Sequence, residues 1–145
     1  GCVVLTEIGC RALSPGINDA GTAIDIIGTA TRLLCEWARA GNARPSAEIR
    51  YARVFVPAVT IDDVFGDVFP PIARDGAAVV EIGIRLQKGL AAIAASGDPA
   101  FAEAASRHAG LAMARAMAAL AFEPDRTLLR RTVIEAGHSV DGRGA

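Results

Sequence analysis

A chain of 145 residues fits one domain that can bury roughly 70% of its unfolded surface, so neither a disulfide nor a metal is needed to hold it together. Fifteen Lys and Arg against sixteen Asp and Glu leave a net charge of −1, with the arginines spread from Arg11 to Arg143. The absence of a basic stripe with interleaved aromatics argues against nucleic-acid binding. Apolar residues make up 52% and the mean hydropathy is +0.34, an excess that points to a partner surface; yet no run approaches the roughly 20 apolar residues of a membrane span.

The first element predicted is a helix over "CVVLTEIGCRAL", ending near Ser14, with Glu7 and Arg11 four apart in the favourable acid-first order. Pro15 biases Ser14 away from helical angles and Gly16 tolerates positive φ, so the chain turns there. Asn18 or Asp19 can then accept from the free amides opening a second helix, about Asp19 to Ala40. That helix carries a core face of Ala23, Ile24, Ile27, Ala30, Leu34 and Ala38, and a separate stripe of Gly21, Asp25, Gly28 and Arg32 suited to close approach by another helix. Gly41 and Pro45 break it.

"EIRYARVFVPAV" is rich in β-branched and aromatic residues and predicts a short strand or hairpin near residues 48–57, with Pro57 at its end. Thr60 with Asp62 and Asp63 marks a third helix start, and Pro70 and Pro71 predict a kink or restart before Gly76. A fourth helix runs through "AAVVEIGIRLQKGLAAIAASG". Asp98 and Pro99 open the fifth, and "EPDRTLLRR" opens the sixth, with Leu128, Leu129, Val133 and Ile134 as its apolar face. The fold class is therefore all-α, a bundle of about six helical segments with one small β element.

Three cysteines, Cys2, Cys10 and Cys35, form no CxxC pair and have no metal-ligand spacing to His108 or His138, so no metal or cofactor is expected and the thiols read as buried and reduced. His108 beside Arg107 is expected at the surface; His138 suits a helix C-terminus. With no nucleophile and base at an informative spacing, no catalytic residue is assigned. The candidate site is the polar corner: Ser14, Asn18, Asp19 and Thr22 as helix caps, or, with Glu7, Arg11 and Asp25, as a small-molecule pocket. Starting inside an apolar helix-like stretch without a signal peptide, residues 1–145 are expected to be a single helical domain excised from a longer protein.

"RALSPGINDAGTAID", residues 11–25, resembles the pattern RALSPGINDPxTA of the bacterial family of predicted integral membrane proteins called domain of unknown function 2254. The likeness extends more loosely through "RVFVPAVTIDDVF" to the helices beyond. It implies membrane-spanning helices upstream in a bacterial membrane and a soluble helical domain attached to them; the reduced thiols fit a cytoplasmic side, and the resemblance, the apolar excess and the small-residue stripes together suggest self-association or contact with the membrane-embedded part of the same protein. The resemblance implies no activity. Ala20 stands where the family pattern has proline, which sets the first turn of the second helix less firmly.

Overall fold

A computed structural model describes residues 1–41 and 59–137. Among them are six helices: α1 (Cys2–Ala12), α2 (Ala20–Ala40), α3 (Ile61–Asp75), α4 (Val80–Ala94), α5 (Pro99–Ala119) and α6 (Glu123–Glu135). The all-α bundle expected from the sequence is present, but the β element is not borne out. The described residues contain no strand, and 48–57 itself lies outside them. A run of β-branched and aromatic residues signals a half-buried surface more than a backbone state, and an isolated hairpin has little stability without a sheet to join.

The principal packing contacts close five helices into a ring, in the order α1, α2, α4, α5, α3 and back to α1, with α6 added on the outside of α4. The ring encloses Ile27 and Leu34 of α2, Phe65, Phe69 and Ile72 of α3, Ile82, Leu86, Leu90 and Ile93 of α4, and Phe101 and Ala105 of α5. Phe65 meets Phe101 edge-on at 6.0 Å between ring centres, and Trp37 meets the same ring at 5.1 Å, arrangements that suit the aromatic quadrupole.

Local chemistry accounts for the helix starts. Thr60 and Asp63 form a reciprocal capping box at α3: the Asp63 amide donates to Thr60 Oγ1 at 3.1 Å and the Thr60 amide donates to Asp63 Oδ2 at 3.3 Å. Asp98 accepts from the amides of Ala100 and Phe101, with Pro99 in the first turn of α5. The restart expected at Pro70 and Pro71 does not occur, because α3 continues through both to Asp75. Each proline frees the carbonyl four residues back, on Gly66 and Asp67; both residues are exposed, so water can satisfy those groups.

Two glycines fit α2 against α4. A side chain at Gly28 would run into the guanidinium of Arg85, whose Cζ lies 3.4 Å from the Cβ position. One turn along, a Cβ at Gly89 would fall 2.5 Å from Thr31 Oγ1. Each helix thus offers a notch to a larger residue of the other, which is what the small-residue stripe on α2 provides. Nearby, buried Gln87 donates from Nε2 to the Ala109 carbonyl at 3.0 Å, a polar tie between α4 and α5 inside the core.

Candidate functional site

The corner between α1 and α2 is built almost wholly by backbone. The Ser14 carbonyl accepts from the amides of Ile17 and Asn18 at 3.0 and 2.9 Å, and the Asp19 amide donates back to the Ala12 carbonyl at 2.8 Å. Asn18 takes φ +51°, the left-handed conformation that asparagine tolerates better than most residues. Asp19 then caps α2: Oδ1 accepts the Thr22 amide at 3.0 Å and Oδ2 accepts the Thr22 hydroxyl at 2.6 Å. Those two bonds, the hydroxyl first, hold the Asp19 carboxyl below its ordinary pKa. A side chain at Gly21 would start 3.2 Å from Asp19 Oδ1, so glycine there leaves the cap room.

Asp19 and Thr22 are therefore brought together, and Ser14 and Asn18 serve through their backbone. The remaining candidates do not converge on them. Glu7 and Arg11 are exposed on α1 and make no ion pair or hydrogen bond among the described residues, although their spacing suits one. Asp25 is exposed one turn beyond the cap; Arg32, which could have shielded it, donates to Thr29 Oγ1 at 3.0 Å instead.

Residues outside the corner occupy more enclosed surroundings. His108, expected at the surface, is 7% exposed and packs against Phe65 and Phe69, with ring centres 5.6 and 6.2 Å away. Burial, reinforced by the charge of Arg107, lowers its pKa, with Asp62 acting weakly the other way. The signal for its burial was present in the spacing 101, 104, 105, 108, 112, which places His108 on the same face of α5 as Phe101. Beside it lies a cleft of about 40 Å³ edged by Pro70, Leu111 and Arg115, where Arg115 Nη1 donates to the Pro70 carbonyl at 2.7 Å. A wider recess of about 240 Å³ opens between the start of α3 and α5, spanned by the Arg107–Asp62 ion pair at 2.5 Å.

All three cysteines are free thiols; Cys35 is buried, while Cys2 and Cys10 are half-buried. Cys10 is pushed up to about 11, first by burial and then by the neighbouring Asp75 carboxylate. A thiol so held is a poor nucleophile at neutral pH. The described residues contain no cluster of His, Cys, Asp and Glu able to hold a metal ion, and no helix among them is long and apolar enough to cross a membrane.

The family model described as "Predicted membrane protein (DUF2254)" matches residues 1–92, more than half of the chain and all of it from α1 into α4. The chain belongs to the DUF2254 family. No curated protein and no solved structure matches it. The matched part includes the whole corner and the exposed face of α1, while all of α5 and α6 lie beyond it.

Proposed function

We propose that this DUF2254 domain is an assembly or regulatory interaction module of a bacterial membrane protein, joining copies of that protein to one another or to its membrane-embedded part, without catalysis of its own. The observation that carries this reading is the inverted packing of α1. Its buried residues are the small Thr6, Gly9 and Ala12, whereas Val3, Val4 and Ile8 are 49%, 55% and 45% exposed. Leu5 is half-buried, but a helix with three of its four large aliphatic side chains turned away from its own core has a second face to cover. The free thiols support a reducing, cytoplasmic location for the domain.

The alternative, a small-molecule or catalytic site at the corner, is less well supported, because both Asp19 carboxylate oxygens are already taken up by Thr22. Residue-to-residue cross-linking of the native protein in its membrane tests the assembly reading. Links from residues 3–17 to a second copy or to the membrane-embedded part are expected; their absence in both directions would overturn it.

A further inference from the structure

On α1, Val3, Glu7, Arg11, Val4 and Ile8 fall within an arc of about 140°, given 100° per residue in a helix. They are the five exposed side chains between Val3 and Arg11. Glu7 and Arg11 run along the middle of that arc, with Val3 on one flank and Val4 and Ile8 on the other. Both charges are without partners among the described residues; Arg74, Arg107, Arg126, Arg130 and Arg131 find carboxylates there, whereas Arg32, Arg39, Arg85 and Arg115, like Arg11, do not. The opposite side of α1 is seated close: a Cβ on Gly9 would meet Ile26 Cγ2 at 3.3 Å and Ile72 Cδ1 at 3.4 Å, so the helix cannot roll to bury its aliphatic flank.

The order of residues along this face is self-complementary. A two-fold axis through the level of residue 9 sets Glu7 and Arg11 about 3 Å to either side, at 1.5 Å rise per residue, so that two antiparallel copies bring each acid against the other copy's base. The same axis places Ile8 beside its own counterpart. It also sets Val4, about 7.5 Å from the axis, at the level of Ser14 of the partner subunit, next to the corner that carries Ile17, itself 52% exposed.

We infer that α1 and the corner form an isologous interface between two copies of this chain, with the α1 helices antiparallel and with Glu7 and Arg11 of each copy paired to Arg11 and Glu7 of the other. This rests on the assembly reading and names its partner. Six side chains a side are far fewer than the roughly 20–30 residues of a standard stable interface, so the free chain pairs weakly, and anchoring two copies in one membrane supplies the local concentration that completes the pairing.

Sedimentation equilibrium of the 145-residue chain, from about 10 µM to about 1 mM, reads the pairing directly. The average mass is expected to climb toward a dimer at the upper end. Ile8→Asp should weaken association at least about tenfold, by placing a carboxylate beside its own counterpart. Glu7→Arg and Arg11→Glu, which each set like charges together twice, should weaken it by a similar factor, and the double swap should return to within about threefold of the parent. All of these positions are exposed, and circular dichroism should show every variant folded. A double swap as weak as its parents, or association indifferent to Ile8→Asp, would overturn this interface while leaving assembly through another face. A chain monomeric at about 1 mM, with residues 3–17 cross-linked to the membrane-embedded part in the native protein, would overturn the two-copy pairing and keep the assembly reading.

Discussion

The seam between α3 and α5 and the outer ridge of α1 use the same kinds of residue and end in opposite states. In the seam, Phe65, Phe69 and Phe101 are 0%, 1% and 2% exposed, and the charges at its edge are matched, Arg107 with Asp62 and Arg115 with the Pro70 carbonyl. On the ridge, Val3, Val4 and Ile8 remain in water and Glu7 and Arg11 stand unmatched. Apolar area left in water forgoes about 25 cal/mol per Å², so the seam holds the domain together while the exposed side chains of the ridge contribute little to it.

That contrast makes Phe65→Ala the largest expected effect. It should destabilise by about 3–5 kcal/mol in chemical denaturation, since it empties the middle of the ring and removes the neighbour of both Phe101 and His108. A loss under about 1 kcal/mol would mean that the seam is not the core described here.

The cap that joins the ridge to α2 comes next. Asp19→Ala should cost about 1 kcal/mol and lower the midpoint of thermal unfolding by about 2–5 °C. Asn18→Gly should be nearly silent, because glycine adopts the φ of +51° freely, whereas Asn18→Ala should cost up to about 1 kcal/mol. Were Asn18 needed for its amide group, the glycine and alanine variants would be equally impaired in function.

His108 sharpens the seam from the side of pH. Its folded pKa lies below the ordinary 6.5, so as pH falls below about 6.5 the unfolded chain takes up a proton that the folded chain refuses. This contribution to stability is whole above pH 6.5 and is lost progressively as pH drops toward the lowered folded value. His108→Leu should flatten that part of the stability profile measured by urea titration, and an unchanged slope would place the acid sensitivity on other groups.

The smallest effect belongs to the ridge. Ile8→Ser should alter the stability of the single chain by less than about 0.5 kcal/mol in dilute denaturation, as expected for a half-exposed side chain. A cost of several kcal/mol would mean that Ile8 supports the core after all.

Much of this fold could be read along the chain wherever the deciding forces are local. Asp19, Thr60 and Asp98 announce helix starts because a carboxylate or hydroxyl satisfies amides within three residues. Pro99 marks the first turn of α5 for the same reason. The errors came where remote contacts decide. His108 is buried by Phe65 and Phe69, which arrive from another helix some forty residues away. Pro70 and Pro71 do not restart α3, and the residues whose carbonyls they release, Gly66 and Asp67, are exposed, a matter of orientation in the bundle rather than of sequence.

At the corner, Asp19 caps α2 through Thr22, while Glu7, Arg11 and Asp25 stay exposed and do not converge on that cap. A shared helix and a near spacing do not make side chains converge. The inward turn of Thr6, Gly9 and Ala12 was also hidden, because α1 shows large and small apolar residues around most of its circumference and only the partners at Ile26 and Ile72 choose between them.

The most direct test is a comparison of amide chemical shifts of the chain at about 20 µM and about 1 mM, where a weak pair is largely separate and largely formed respectively. Shifts that move with concentration within residues 3–17 while those of α3 and α5 stay fixed are the predicted result. Movement centred on the α3–α5 seam would contradict the division of the molecule into a finished core and an open ridge, and no movement anywhere would contradict the pairing of two copies through that ridge.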